Sequence, residues 1–570
     1  MMKLNMCGRF MGFMLCLVVL ALSCTHVGSQ RLFHRGAVVC ADEIAAGIGL
    51  RVLEDGGNAV DAACATALAL AVTYPQAGNI GGGGFALIYS SDSGRAFFID
   101  FRETAPAAAT AAHYLDSAGQ YDPRKALLGP SSAGTPGTVA GLYEMHRRFG
   151  SRPWPDLVRP SRFLADTGFV VGRPLAASVA ENADELGRFE ATRSVFFPDG
   201  SPLAPGKRLI QTDLAVTLGL IEQKGKDGFY RGETADAIAA YCAANGGMIT
   251  RDDLQGYMPV WRNPVHIKFG SLDILTAGLP SSGGVVIGQI LKMLDRFDIE
   301  RYAPDDPNYI HLFTEACRRA YADRSEYLGD PAFTEDFTAR LIDDEYIAAR
   351  VRSIDPDRAS RSQDIRPGLA DDTPQADQTT HLVVADGRGN IVSLTYTVNA
   401  WFGSKAVVPG AGFLLNNEMD DFSIVPNAPN QFGLIENQAN GIAAGKRMLS
   451  SMSPTIILES GRPIMALGSP GGSKIITAVA QTIINYHVFD LPLDQAVSRP
   501  RFHHQWLPDT LYLEQNGYSA ETIRTLTAMG HVVAQRAPFC EVMALAFSHE
   551  GLYITGAADP RRAGGCVAGY

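Results

Sequence analysis

"ADQTTHLVVADGRGNIVSLTYTVN", residues 376–399, reads as strand, tight turn, strand. Positions 382–385 and 391–396 are β-branched and apolar, and Asp386-Gly387 with Gly389-Asn390 supply the turn between them. A Thr-Thr-His, residues 379–381, stands at the head of this hairpin, directly after a polar segment with no periodic pattern. Thr is a favoured strand residue, so by itself the pair needs no role beyond packing.

The preceding stretch, 354–378, is rich in Asp, Arg, Pro and Ser and poor in apolar residues, which predicts a loop or linker. Further upstream, helical patterns dominate from 139 to about 350, interrupted by strands near 265–275. Nearer the N-terminus, "ADEIAAGIGLRVLEDGGNAVDAACATALALAV" carries two helical periods. They break at Gly56-Gly57, and Asn58 is placed to start the second helix. Strands are expected near 85–89 and 96–101, joined by a turn at 92–94. Downstream of the hairpin come a Gly/Asn/Pro-rich loop at 424–446, a strand at 455–458, and a Gly turn into a helix after Gly472. No internal repeat is visible. Antiparallel strand pairs flanked by helices argue for an α+β layered sandwich.

Composition bounds the function classes. The chain has 570 residues, 46% hydrophobic and 19% charged, which is ordinary globular usage. Its formal net charge is -11 with no extended Lys/Arg cluster, so a nucleic-acid partner is not expected. Lys3 and Arg9 precede the apolar run 11–22, the pattern of an export signal too short to span a bilayer. Cys24 follows Ala21-Leu22-Ser23, resembling a relaxed lipoprotein box. Cleavage near Ser29 is the alternative, and both place the mature protein outside the cytoplasm, whether periplasmic, lipid-anchored or secreted. The nine Cys show no C-x-x-C spacing, so neither a zinc site nor a disulfide scaffold is expected, and Cys64 reads as a packed small residue.

The familiar catalytic motifs G-x-S-x-G, H-E-x-x-H and G-x-x-x-x-G-K-[ST] are missing. Gly81 to Gly84 lack a following Lys and read as a tight turn into a strand. Gly471 and Gly472 open an apolar helix, where backbone N–H groups suit an oxyanion, although a plain Gly-rich helix start is the simpler reading in isolation. Ser450 and Ser451, taken alone, read as solvated loop residues. Arg102 ends a strand among apolar residues and needs a carboxylate partner. Asp420 and Asp421 are two neighbouring acids after an apolar run.

Taken together, these features resemble the γ-glutamyltransferase family of N-terminal-nucleophile hydrolases. The resemblance rests on Gln378-Thr379-Thr380-His381, "TYTVN" at 395–399, "LLNNEMDDF", "LSSMSPT", "GSPGGS" and "DPRRAGGCVAGY". In the first half it rests on "NIGGGGF", "DFRETAP", "PSSGG" and "AYADRSEYLGDP". It covers nearly everything after the leader, in the expected order.

The resemblance implies a four-layer αββα sandwich of two stacked antiparallel sheets flanked by helices. It also implies a division into a leader (1–24), a large fragment (25–378) and a small fragment (379–570). The two fragments would arise by autocatalytic cleavage between Gln378 and Thr379 and form one intertwined domain, a heterodimer. Cleavage would give Thr379 an α-amino group, whose reference pKa of about 7.7 to 8.0 suits a general base near neutral pH. Thr397 would bond the Thr379 amine and hydroxyl, and the N–H groups of Gly471 and Gly472 would form the oxyanion hole. Arg102, Ser450 and Ser451 would hold the substrate α-carboxylate; Asn399, Glu418 and Asp421 would hold its α-ammonium. Glu418 stands where some relatives carry Gln. The 424–446 segment resembles a lid loop, with Phe432 where some relatives place a Tyr.

The implied substrates are glutathione and related γ-glutamyl compounds, with water, an amino acid or a dipeptide as acceptor and no cofactor or metal. Two other readings stay open. One is a glutaryl amide acylase of the cephalosporin-acylase type, against which Asp421 argues because a glutaryl group has no ammonium to pair with it. The other is an inactive exported binding lipoprotein, whose expected damage at Thr379, Thr397 or the Gly pair is not seen.

Overall fold

Strand Thr380–Asp386 pairs antiparallel with Ile391–Thr397, Thr380 opposite Tyr396 and Ala385 opposite Ile391, as the sequence predicts. In this computed structural model of the chain, which describes residues 31–368, 380–425, 431, 437–548, 550–561 and 563–570, the hairpin is the centre of the fold. Asp386 fixes its turn, accepting from the backbone N–H groups of Arg388 and Asn390 at 2.9 and 3.0 Å. The same carboxylate accepts from the N–H of Ala59, which ties the turn to the start of a helix.

The hairpin lies in a seven-stranded antiparallel sheet ordered Cys566–Gly569, Gly36–Cys40, Thr380–Asp386, Ile391–Thr397, Gly83–Ser90, Arg95–Phe101, Val260–Arg262. A second antiparallel sheet of seven strands is ordered Leu32–Phe33, Ile554–Ala558, Met543–Phe547, Arg462–Gly468, Thr455–Glu459, Leu272–Thr276, Val265–Phe269. The two stack face to face, and the Ser393 hydroxyl bridges them by donating to Leu467 O and accepting from Thr455 N, each at 3.1 Å. Helices cover the outer faces. Glu43–Glu54 and Ala59–Thr73 lie on the first sheet; Gly283–Leu294, Ser473–His487 and Leu493–Ser498 lie on the second. This is the expected αββα sandwich.

Burial explains why the hairpin arms read as continuous apolar runs. Every residue of both is buried, because the helices cover one face of the sheet and the second sheet covers the other. Alternation survives at the edge, where Val265–Phe269 is buried at every second position. Ala59–Thr73 is buried throughout, and its small side chains suit close packing on the sheet. Asn58 starts it as the sequence predicts, and Asp61 completes a capping box there. Cys64 is buried, its thiol 3.4 Å from Leu142 O.

Two readings of the sequence need correction. The polar stretch after 354 is not a loose linker as far as it is described. Ser360 donates to Glu315 from both N–H and hydroxyl, Ser362 N–H to Asp509, and Gly368 N–H to Asp323. Trp506 Nε1 donates to the carbonyls of Ser362 and Ile365. Its polar residues serve a buried charged network on helix Pro307–Tyr327, where Glu315 pairs with Arg318 and Arg319. Residues 369–378, with Gln378, lie outside the described residues, as do Thr379, Phe432 and the leader with Cys24. The second correction concerns strands Arg462–Gly468, Met543–Phe547, Ile554–Ala558 and Cys566–Gly569, which complete the two sheets and were not read from the sequence.

Residues on either side of position 378 contribute strands to both sheets. The first sheet takes four strands from the earlier part and three from the later; the second takes three and four. Thr380–Asp386 itself inserts between Gly36–Cys40 and Ile391–Thr397.

Candidate active site

Thr397 ends the second arm of the hairpin, and the glycine run explains how the neighbouring chain reaches it. A Cβ on Gly82 would lie 1.8 Å from Thr397 O, and one on Gly81 2.2 Å from Leu414 O. The run leads into a strand as expected, but close backbone approach is what requires glycine there. Thr397 Oγ1 accepts from the N–H of Asn399 at 2.7 Å. That bond holds Asn399 at φ +74°, a left-handed conformation that Asn tolerates better than most residues. The Asn399 amide donates to Asn417 O at 3.0 Å, next to Glu418.

Arg102 follows strand Arg95–Phe101 and is only 1% exposed. Its guanidinium lies 2.5 Å from both Glu418 and Asp421, and 3.5 Å from Glu103. Nε and Nη2 also donate to the carbonyls of Met448 and Leu449. The carboxylate partner that the sequence demanded is therefore a set of three. Burial pulls the Arg102 pKa down, but the charges of Glu418, Asp421 and Glu103 outweigh it and hold it above the usual arginine value. Burial likewise raises Glu418 and Asp421 above the ordinary carboxyl range, opposed by Arg102. Glu103 is pushed up to about 8 by the same balance. One oxygen of Glu103 and both oxygens of Glu418 are buried without a hydrogen-bond partner, apart from the ion contact of Glu418 Oε2 with Arg102, so the cluster has acceptor capacity in reserve.

Ser450 and Ser451 are 4% and 7% exposed, which corrects the reading of a solvated pair. They are held because Ser281 forms a parallel bridge with Ser450, and the Ser282 N–H and hydroxyl both donate to Ser450 O at 2.7 Å. Asn440 links this segment to the charged cluster, donating to Asp421 O and accepting from Leu449 N–H.

Gly471 and Gly472 adopt φ +127° and +52°, and Gly472 caps helix Ser473–His487. Successive N–H groups in such a turn form a concavity that suits an anion. A Cβ on Gly471 would meet Cys540 Sγ at 2.3 Å, so both conformation and space require glycine. Tyr321 donates to Ser473 O, and Arg324, one turn along helix Pro307–Tyr327, reaches Ser451 Oγ at 3.5 Å. Thr379 lies outside the described residues, but Thr380 after it pairs with Tyr396, adjacent to Thr397. His381 is fully buried, and burial lowers its pKa to about 3, so it is neutral, with Nδ1 2.8 Å from Thr395 Oγ1.

The structure thus joins Arg102, Glu418 and Asp421 directly, and Thr397 to Asn399. It also reveals residues not assigned from the sequence: Glu103, Tyr121, Ser282, Tyr321 and Arg324. Glu103, Ser282, Tyr321 and Arg324 sit inside motifs already visible, "DFRETAP", "PSSGG" and "AYADRSEYLGDP", which gave no hint of contact across the fold. Asp420 points away from Arg102; it accepts from Tyr121 OH at 3.0 Å and Gln431 N–H at 2.9 Å.

Burial, with Asp421 beside it, raises the Asp420 pKa from 3.8 to about 7. A carboxyl whose folded pKa exceeds its unfolded value stabilises the fold fully below the unfolded pKa and loses that contribution as pH rises through the folded one. Wild type should therefore lose thermal stability relative to Asp420→Asn as pH rises from 3.8 to about 7. Melting curves of both chains across that range measure the difference, and parallel curves would refute it.

A buried cation among carboxylates, two buried hydroxyls and a glycine turn at a helix start lie near the end of the central hairpin of an αββα sandwich. Residues 45–569 match the gamma-glutamyltranspeptidase family model, and the chain belongs to that family. It is 43% identical over 549 residues to a glutathione hydrolase proenzyme of Escherichia coli, covering 95% of this chain and 94% of the relative. Among solved structures, a cephalosporin acylase from Bacillus halodurans matches with TM-score 0.85 and 26% identity, covering 98% of this chain and 99% of that one. A Helicobacter pylori gamma-glutamyltranspeptidase matches with TM-score 0.58 and 36% identity, covering 60% and 98%.

Proposed function

We propose that the protein is a γ-glutamyl transferase/hydrolase that cleaves glutathione and related γ-glutamyl amides through a γ-glutamyl ester on Thr379. The observation that carries this reading is Arg102 held between Glu418 and Asp421 beside Ser450 and Ser451. A glutamyl group carries one α-carboxylate and one α-ammonium, and this cluster offers matched charge for both. Charge-assisted hydrogen bonds of this kind are worth about 1.5 to 3 kcal/mol each.

In this mechanism, cleavage between Gln378 and Thr379 frees the α-amine of Thr379. That amine takes the proton of the Thr379 hydroxyl as the oxygen attacks the γ-carbonyl carbon. The oxyanion forms against the N–H groups of Gly471 and Gly472, and loss of one such donor typically costs about a hundredfold or more in rate. The tetrahedral intermediate collapses, the C–N bond breaks, and the departing amine receives the proton. Water or the amine of an amino acid or dipeptide then attacks the ester by the same route and regenerates Thr379. Thr397 orients the nucleophile, and Asn399, Glu418 and Asp421 receive the ammonium. The two fragments remain one heterodimer because both contribute strands to both sheets. The export-signal pattern of Lys3, Arg9 and 11–22 supports an activity outside the cytoplasm, with Cys24 as lipid anchor or cleavage near Ser29 as the route to release.

The likeness to a cephalosporin acylase structure sustains a second reading, a glutaryl amide acylase. Amine release from a γ-glutamyl anilide and a glutaryl anilide separates the two. The γ-glutamyl compound is expected to be preferred by about a hundredfold in kcat/KM, the worth of one or two charge-assisted contacts. Faster turnover of the glutaryl compound would overturn the proposal.

A further inference from the structure

Arg324 is 1% exposed, on a helix with no strand in either sheet, yet its guanidinium reaches the segment that carries both serines. Nε donates to Ser282 Oγ at 2.9 Å, and Nη2 lies 3.5 Å from Ser451 Oγ. Ser282 in turn donates its hydroxyl to Ser450 O. A serine hydroxyl has one proton to give and two lone pairs. Ser451 Oγ receives Arg324 on a lone pair, and Ser450 Oγ receives the N–H of Met452 at 3.2 Å. Each hydroxyl is therefore engaged as an acceptor, which leaves its proton to donate to an anion. Arg102 reaches the same segment through the carbonyls of Met448 and Leu449 and is held by Glu418 and Asp421 at 2.5 Å. Arg324 is a second cation beside the serines.

We infer that Arg324 is a positioning residue that sets selectivity for a substrate α-carboxylate, acting through Ser282, Ser450 and Ser451. The inference rests on the γ-glutamyl reading above and deepens it. Arg324 polarises the Ser451 hydroxyl, fixes the Ser450 carbonyl through Ser282, and supplies positive charge at the carboxylate end of the pocket that Arg102 shares with two acids.

The test uses two para-nitroanilides, γ-glutamyl and γ-aminobutyryl, which differ only in the α-substituents, together with a third, glutaryl, which keeps a carboxylate and lacks the ammonium. Purified, matured wild type, Arg324→Ala, Arg324→Lys and Ser282→Ala are compared. In Arg324→Ala, KM for the γ-glutamyl compound is expected to rise about tenfold to a hundredfold, the equivalent of one charge-assisted contact, with kcat little changed. The kcat/KM ratio of γ-glutamyl to γ-aminobutyryl compound falls by the same factor. Arg324→Lys recovers part of the ratio, because the charge remains while the fork is lost, and Ser282→Ala lowers it in the same direction. A variant that loses rate on both compounds equally, or keeps the wild-type ratio, overturns the inference while the γ-glutamyl reading stands. Should Arg324→Ala fail to mature, Arg324→Lys and Ser282→Ala decide on the same ratio. Wild type that prefers the glutaryl compound, or turns over none of the three, overturns the γ-glutamyl reading itself and this inference with it.

Discussion

Thr379→Ala is expected to remain one unbroken polypeptide after the leader and to lose at least about 10⁴ of the γ-glutamyl anilide turnover, because the nucleophile is removed outright. One residue supplies two groups in this mechanism: the hydroxyl attacks, first the preceding peptide bond and later the substrate, while the amine released by the first attack is the base for the second. Alanine abolishes both steps. Thr379→Ser keeps hydroxyl and amine and should recover maturation with part of the rate. A denaturing gel shows the two fragments directly, and N-terminal sequencing of the smaller one must begin at Thr379. Fragments with that terminus from Thr379→Ala would sink the mechanism. Processing should not separate the fragments, since Thr380–Asp386 pairs on one side with Gly36–Cys40 of the earlier part.

Arg102→Met is expected to cost about 3 to 5 kcal/mol of stability, the usual penalty for leaving buried charges without their partner. Glu418, Asp421 and Glu103 would then lose the guanidinium that lies 2.5 to 3.5 Å from all three. Each already has a raised pKa, with burial the leading cause and Arg102 the opposing one. Removing Arg102 raises them further, so the carboxyls take up protons in the folded state. A folded pKa above the unfolded one makes stability fall as pH rises, over the window from the ordinary value of 4.5 to the folded value, which for Glu103 is about 8 in wild type and higher in the variant. Melting temperatures of Arg102→Met should therefore drop more steeply with pH than those of wild type. Glu418→Gln added to Arg102→Met should restore part of the loss by removing one charge. Catalytically, kcat/KM for the γ-glutamyl anilide is expected to fall by about a hundredfold or more. A pH-independent loss of stability would mean that Arg102 acts through packing alone.

Several site residues were legible because their backbone requirements are local. Gly471 and Gly472 needed positive φ at a helix start, and the strand-turn-strand of 376–399 was readable from β-branched runs around Asp386 and Gly389. Arg102 announced its need for an anion by being charged among apolar neighbours. The pair Ser450-Ser451 carried no such signal, since its burial depends on Ser281, which bridges Ser450, and on Ser282, whose hydroxyl donates to Ser450 O from 168 positions away. The stretch 354–368 looked like a linker for the same reason. Its polar groups are satisfied by Glu315, Asp323 and Asp509, and polarity in sequence does not distinguish solvent from a buried charged partner.

By itself, the sequence determined the layered α+β class, the position of the central hairpin, the helical hairpin at its back and the family to which the chain belongs. The first three rest on periodicity and turn chemistry, which are short-range properties, and the family rests on the resemblance of motifs in order along nearly the whole chain. Tertiary structure alone decided that Arg102 meets Glu418 and Asp421, that Asp420 turns instead to Tyr121, and that Arg324 stands behind the serines. Neighbouring acids such as Asp420 and Asp421 are indistinguishable in sequence. Their roles separate only when the fold places a guanidinium beside one and a phenol beside the other, because the worth of a buried charge depends on what lies within a few ångströms of it.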